Sequence, residues 1–426
     1  MEQKRCRVLY VEKPTQSVGG SIISLYELVR GLDMDIFDPV VLLYGPSAYR
    51  ERFEALGVKV LVLNEQHEHP TAVSVVGRRR DIAASLSRYS ERLAAAYREA
   101  KQFYQFYNQE WPLARRIAGL IKAEAIDLVH HNGSLPGNRT TVLAARLAHV
   151  PQVCHVRMLH DLSIVDRFLA RFVDSFVYIS RAVEAKYQSY GISPNGGQVI
   201  YNPIDTEAFS RINGSSRLQA EFDLTDQDVV ISNIGRLDWW KGHEYFLEAI
   251  AKIVQLQPHV KALIVGEADL TPRNQAYFQQ LQQLVGELQL RRQVVFTGFQ
   301  RDIPAVMAVS NIVVHSASEP EPFGRVVVEG MAAGRPVIAT AAGGVLDIIE
   351  DKVNGLLVPP KDAEAMAQAI QELIQNPNQA RLMGQRAQQE AQERFSAKHH
   401  VAAVQQLYRR ILFFDLRSQN GSHPSV

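Results

Sequence analysis

The chain has 426 residues, 46% of them hydrophobic and 21% charged, with a net charge of +1. That length exceeds one ordinary core and implies two domains; the balance is that of a globular protein in water, and the near-zero charge gives no global argument for nucleic acid, so any basic surface is local. No stretch approaches the roughly 18 to 20 apolar residues that cross a bilayer, and the two cysteines, Cys6 and Cys154, lie in or beside apolar strand-like runs, which reads as buried reduced thiols in a reducing compartment.

The N-terminus, MEQKRCRVLYVEK, enters a strand almost at once without the apolar region of a signal peptide, so a cytoplasmic protein is expected. The first half then alternates apolar runs with helical patterns: Arg7–Val11, Pro39–Tyr44, Val58–Leu63, Asp127–His130, Gln152–Val156, Phe176–Ser180 and Val199–Tyr201. A second series follows, Val229–Ile234, Lys261–Val265, Gln293–Thr297, Asn311–Val314, Pro336–Thr340 and Leu356–Val358. Strands separated by helices imply parallel sheets, and two such series predict an α/β protein of two doubly wound domains. Ligand is expected in the cleft where the carboxyl ends of both sheets face one another. Asn202-Pro203-Ile204-Asp205 and the polar run from Ile212 to Ser216 put the domains at 1–205 and 206–395. Residues 396–416 have helical spacing, either as the last helix of the second domain or as an arm crossing to the first, and 417–426 read as a disordered tail.

One segment departs from the alternation. Val76–Arg116 is helical in pattern and carries a net +5, including Arg78, Arg79 and Arg80, with interleaved aromatics such as Tyr97, Tyr104, Tyr107 and Trp111. Such a segment lies on an anionic lipid surface, covers an acceptor site, or packs on the sheet with its arginines in water.

Four places carry chemistry. After the first strand, Gly19-Gly20 opens a helix where backbone amides can face a phosphate, although the pattern is neither a dinucleotide fingerprint nor a P-loop. His155 and Arg157 end the strand QVCHV, with His160 just beyond; a histidine there touches a sugar or acceptor, or else caps a loop. In GRLDWWKGHEYFLEAI, Arg236 and Lys241 stand five residues apart as the chain leaves the sheet, able to pair with the two phosphates of a nucleoside diphosphate as fork and point charge. The run EPFGRVVVE puts Glu321 and Glu329 eight positions apart across a turn entering a helix. There Gly324 permits close approach, the first helical amides form an anion site, and the carboxylates accept hydrogen bonds from sugar hydroxyls; the alternative is a surface helix with acids near its start. No His/Cys/Asp/Glu group has metal-ligand spacing, so no metal or other cofactor is expected.

With these residues assembled, the chain resembles the retaining glycosyltransferases of glycosyltransferase family 4, which have the GT-B fold of two Rossmann-like domains. The resemblance runs through IGRLDWWKG, VGE, VVFTGF, HSASEPEPFGRVVVEGMAAGRPVIATAAGG and NGLLVPP in family order and spacing, with VIYNPID and Gly19-Gly20 in support. It implies that Arg236 and Lys241 hold the donor diphosphate, Glu321 the sugar hydroxyls and Glu329 the ribose. Gly20 and the amides of Phe323, Gly324 and Arg325 would surround phosphate and sugar, and Phe299 would lie near the base. Two departures stand out: Gly330 replaces a common Ala, and His155 and His160 flank the place of a histidine the family often has near Arg157. The expected reaction moves a sugar from a nucleotide sugar to a hydroxyl acceptor, lipid-linked or not, with retention by front-face displacement and without a metal. The same fold also suits a nucleotide-sugar epimerase, a phosphorylase or a noncatalytic nucleotide-sugar-binding subunit.

Overall fold

The computed structural model describes residues 5–13, 19–63, 90, 93, 97, 100, 101, 104, 106–192, 197–210 and 215–419. Arg78, Arg79 and Arg80 of the basic segment, the centre of the polar break at 212–214 and the tail 420–426 lie outside these residues.

Two all-parallel sheets are wound. In the first, β1 (Cys6–Glu12), β2 (Phe37–Tyr44), β3 (Lys59–Leu63), β4 (Leu128–His131), β5 (Gln152–Val156), β6 (Ser175–Tyr178) and β7 (Gln198–Val199) lie in the order β3-β2-β1-β4-β5-β6-β7. In the second, β8 (Val229–Ile234), β9 (Val260–Val265), β10 (Val294–Gly298), β11 (Ile312–His315), β12 (Val337–Thr340) and β13 (Leu356–Val358) lie in the order β10-β9-β8-β11-β12-β13. Every predicted strand is present, with its ends within two residues of the expected ones.

Each sheet is covered on both faces, which is why its strands read as nearly unbroken apolar runs. In β1, Val8 and Tyr10 enter one core with Leu25, Leu28 and Phe53, while Leu9 and Val11 enter the other with Ile117, Ile121 and Val129. In β8, Ile231 and Val230 divide in the same way between two cores of the second sheet. The order reverses between β1 and β4 and again between β8 and β11. Ligands of open α/β sheets bind outside the carboxyl ends at such switch points.

The chain divides into two compact units, one of Met1–Ile179, Val183–Ile200 and Val401–Val426, the other of Ser180–Ala182 and Tyr201–His400. The final helix, Ala397–Gln419, starts in the second unit and puts Val401, Val404, Leu407 and Tyr408 into a core of the first. Their spacing of three and four marks one helical face. At roughly 1.5 to 3 kcal/mol per buried side chain, this face contributes on the scale of a domain's whole net stability. Among the described residues, no helix is long and apolar enough to cross a membrane. Cys154 is buried and Cys6 only half-buried.

Close packing makes some glycines obligatory and others dispensable. A Cβ on Gly384 would lie 2.2 Å from the Gly334 carbonyl oxygen, whereas one on Gly119, in the exposed middle of the helix Trp111–Ala123, meets nothing within 4 Å. Gly119→Ala should therefore raise stability by about 0.5 to 1 kcal/mol through helix propensity, and Gly384→Ala should lower it because backbone must move. Urea midpoints of the two variants check the opposite signs.

Candidate active site

The loop after β8 is shaped by contacts with the segments beside it. Gly235 N–H donates to Val265 O (2.9 Å) and Leu237 N–H to Glu267 O (3.0 Å). The turn Trp239–Lys241 then ends at Gly242, whose φ is +65°. A Cβ there would sit 2.2 Å from the Ser316 carbonyl oxygen, so only glycine lets this loop lie against the residues after β11. The apposition is sealed by Ser318 N–H donating to Trp240 O (2.9 Å), Ser316 Oγ donating to Lys241 O (2.9 Å), and Asn233 Nδ2 donating to Ser316 Oγ (2.7 Å).

That frame delivers Lys241 to Glu321. Lys241 Nζ lies 2.6 Å from Glu321 Oε2 and 4.2 Å from the centre of the Trp240 ring, while His315 Nε2 stands 3.4 Å from the same carboxylate oxygen. The Glu321 backbone is gripped from the other side, where Gly344 N–H donates to its carbonyl oxygen at 2.7 Å and a Cβ on Gly343 would come within 2.2 Å of that oxygen. Burial pushes the Glu321 carboxyl up, but the Lys241 ammonium and the His315 ring outweigh it and hold it at about 2. His243, fully buried nearby, is pushed down to about 3 by burial and by the neighbouring Lys241 and His315. It is therefore neutral and adds no charge beside the lysine.

The other predicted residues of this unit fall around the same loops. Arg236, half-exposed, turns its guanidinium to Asp238 at 2.9 Å. Gly324, with φ of +106°, caps the helix Arg325–Ala332, on whose first turns Arg325 Nε donates to Glu329 Oε1 at 3.1 Å while its Nη1 donates to Pro203 O at 3.0 Å. Phe323 is buried against Tyr201 and Phe395. Phe299 follows Gly298 (φ +68°) and is 56% exposed. Gly330 faces Val337 and Val313, where a Cβ would stand 3.0 and 3.3 Å from their side chains, so its packing is already tight without the methyl.

In the first unit, Gly19 caps the helix Gly20–Arg30 in an extended conformation without a side-chain cap. Beside it a buried polar chain crosses the carboxyl ends of β1, β4 and β5. Ser21 Oγ donates to Glu12 Oε1 (2.8 Å), Asn132 Nδ2 donates to Glu12 Oε2, and Arg157 Nε donates to Asn132 Oδ1 (2.7 Å). His155 Nδ1 lies 3.3 Å from both Arg157 Nη2 and His130 Nε2, and His130 Nδ1 is 2.6 Å from the Tyr408 hydroxyl. His155 is thus fully buried in the sheet and Arg157 nearly so, while His160 is exposed. Burial pushes the Glu12 carboxyl up to about 7 against the opposing pull of Asn132, Ser21 and Arg157.

Sequence reasoning thus found both members of the central ion pair but not that they meet, and it missed Asp238, His315 and Glu12. His315 alone had a local signal, as a polar residue closing the apolar run NIVVH at a strand's carboxyl end.

Two family descriptions match the chain in succession: glycosyltransferase family 4 over residues 18–208, and glycosyl transferases group 1 over residues 216–390. The chain belongs to the group 1 glycosyl transferases of glycosyltransferase family 4. Relatives of this glycosyltransferase include N-acetyl-alpha-D-glucosaminyl L-malate synthase of Bacillus anthracis, 26% identical over 72% of this chain and 81% of that protein. Another is D-inositol 3-phosphate glycosyltransferase of Saccharomonospora viridis, 25% identical over 73% of this chain and 71% of the relative. Among solved structures, Anabaena HepE in complex with UDP superposes with a TM-score of 0.76 at 24% identity, covering 95% of this chain and 100% of that one. A glycosyltransferase of Rickettsia africae superposes at 0.77 and 20% identity, covering 96% and 99%. The two parallel-sheet domains of this glycosyltransferase are those of the GT-B fold.

The two perturbed carboxyls predict opposite pH behaviour. Glu321, held at about 2 in the fold against an ordinary 4.5, contributes stability that is present above pH 4.5 and lost as the pH falls through 2. Urea midpoints should show Glu321→Gln less stable than wild type at pH 7, with the gap closing towards pH 2. Glu12, raised from 4.5 to about 7, penalises the folded state increasingly as the pH rises between those values. Glu12→Gln should match wild type at pH 4 and exceed it at pH 8; parallel pH profiles would show that Glu12 titrates normally.

Proposed function

We propose that this glycosyltransferase moves a hexosyl group from a nucleotide sugar to a hydroxyl acceptor with retention at the anomeric carbon. The observation that carries the reading is the Lys241–Glu321 pair, fixed at a switch-point edge beside the glycine-capped helix Arg325–Ala332. Arg236 and Lys241 would take the donor diphosphate, with the amides of Phe323, Gly324 and Arg325 adding partial positive charge. A carboxylate held at about 2 is ionised throughout the physiological range, so Glu321 can accept hydrogen bonds from sugar hydroxyls and cannot serve as a general acid. Glu329 would accept from the ribose diol, exchanging part of its contact with Arg325, and the exposed Phe299 ring would flank the base. Anabaena HepE was solved with UDP, which makes UDP the first nucleotide to test.

The acceptor oxygen forms its bond to the anomeric carbon on the face from which the phosphate leaves. The carbon–oxygen bond to the diphosphate breaks, and a phosphate oxygen takes the acceptor proton. Arg236 and Lys241 stabilise the charge gathering on the leaving group, so no carboxylate nucleophile and no metal ion is invoked. On the acceptor side we place the exposed His160, with Arg157 oriented from behind by Asn132 and His155. The thiols of Cys6 and Cys154 suit a reducing, cytoplasmic setting.

Lys241→Ala and Arg236→Ala should each lower turnover at least tenfold, since each removes a charge-assisted contact that strengthens as the diphosphate leaves. Melting curves must accompany the first, because leaving the largely buried Glu321 without its partner costs roughly 3 to 5 kcal/mol. Glu329→Ala should weaken nucleoside diphosphate binding more than Glu321→Ala, which should chiefly impair use of the intact donor. In a thermal-shift panel of UDP, GDP and ADP, the cognate diphosphate at about 100 times its dissociation constant should add about 2.7 kcal/mol. No shift with any of them, or near-normal turnover in both cation variants, would sink the assignment.

A further inference from the structure

The short helix Ile164–Leu169 and the turn Ala170–Phe172 that continues it are firmly seated in the first unit. Ser163 and Asp166 form a reciprocal cap, and Arg139 clasps Asp166 with two bonds of 2.6 and 2.8 Å. Val165, Asp166, Leu169 and Ala170 face inward and are buried. The outward face is therefore set by the fold, and it consists of Ile164, Arg167, Phe168 and Arg171, all exposed and spaced as one helical stripe. Ile164 is 64% exposed and Phe168 is 53% exposed.

A single exposed leucine or isoleucine needs no explanation, but a pair one turn apart, alternating with two guanidiniums on a rigid ridge, is an unusual use of surface. One side of the ridge, with Ile164, Arg167, Phe168 and Arg171, forms a wall of a groove of about 490 Å³ whose other walls include Phe176, Tyr190 and Ile192. Among the described residues, no carboxylate pairs with Arg167 or Arg171, and exposed Arg146 adds a third positive charge where it stacks 5.5 Å from the Phe172 ring. The nearby acids are occupied: Asp166 by Arg139 and Ser163, and Asp161 by Lys186 at 2.6 Å and Tyr190 at 2.8 Å.

We infer that this ridge docks on an anionic lipid surface, with Ile164 and Phe168 entering the acyl boundary and Arg167 and Arg171 meeting headgroup phosphates. Apolar side chains flanked by unpaired arginines match the division of a bilayer surface into hydrocarbon and phosphate levels. The charge complementarity selects anionic lipid: among the described residues, no carboxylate answers the three cations on and beside the ridge. The groove can receive a displaced acyl chain. The inference stands independently of the donor chemistry and concerns residues other than the basic segment Val76–Arg116.

Co-sedimentation of the full chain with vesicles tests it. Wild type should bind mixed phosphatidylglycerol–phosphatidylcholine vesicles at low salt, bind phosphatidylcholine alone poorly, and lose affinity as salt rises. Arg167→Ala and Arg171→Ala should each weaken binding about fivefold, and the double variant Ile164→Ala, Phe168→Ala should weaken it at least tenfold even in salt. All four residues are exposed, so unchanged melting temperatures serve as the fold control. Failure of wild type to bind the mixed vesicles, or full binding by both the arginine and the apolar variants, would overturn the inference. So would a wild-type dimer in solution that the apolar variant dissociates, since a second copy would then cover the ridge.

Discussion

The candidate donor site depends on one ion pair, Lys241 to Glu321, joining residues 80 positions apart. Taking both groups out of water is costly, and the attraction offsets that cost only if geometry is tight and the remaining lone pairs are met. Here the distance is 2.6 Å, His315 approaches the same oxygen, and Trp240 lies under the ammonium. The backbone supplies the rigidity. Gly242 brings one loop onto the Ser316 carbonyl, and Gly343 and Gly344 bring another onto the backbone of Glu321 and Pro322. Each glycine is needed because a Cβ would collide with backbone, which cannot turn aside as a side chain can.

The two units use a buried glutamate beside a switch point in opposite ways. Glu321 meets an ammonium directly and stays charged; Glu12 meets an amide and a hydroxyl, with the Arg157 guanidinium held behind Asn132, and burial prevails. At Glu321 the direct cation and the His315 ring outweigh desolvation, whereas at Glu12 the neutral donors do not. The consequence is a charged acceptor of hydrogen bonds in one unit and, near neutral pH, a proton-exchanging group in the other. The chain of contacts from Glu12 runs on through Arg157, His155 and His130 to Tyr408, so the carboxyl edge of the first sheet is linked to the final helix.

Most of the architecture was legible because parallel strands buried on both faces leave a strong local trace. The runs VVISNI and KALIV can satisfy their burial and backbone hydrogen bonds in little other than a central strand, and both lie where expected. The final helix was harder. Its spacing announced a helix, but whether it served the second domain or the first depended on which core lacked the surface of Val401, Val404, Leu407 and Tyr408. His155 stayed open for a related reason: at a strand end it reads equally as a contact to sugar or acceptor or as a loop cap, and only the fold shows it enclosed by His130 and Arg157.

By itself, the sequence determined the strands, the helix openings after Gly19 and Gly324, the two-sheet winding and the residue types of the site, because periodicity, turn chemistry and glycine placement are properties of short windows. Tertiary structure alone decided that Lys241 meets Glu321, 80 positions away, and that Arg325 reaches the Pro203 carbonyl, 122 positions away. It also decided that the ridge from Ile164 to Arg171 faces water, since Val165 and Leu169 lie just as close in sequence and are buried. Pairing and ionisation follow from distance and desolvation, and both are set by chain segments that no local window contains.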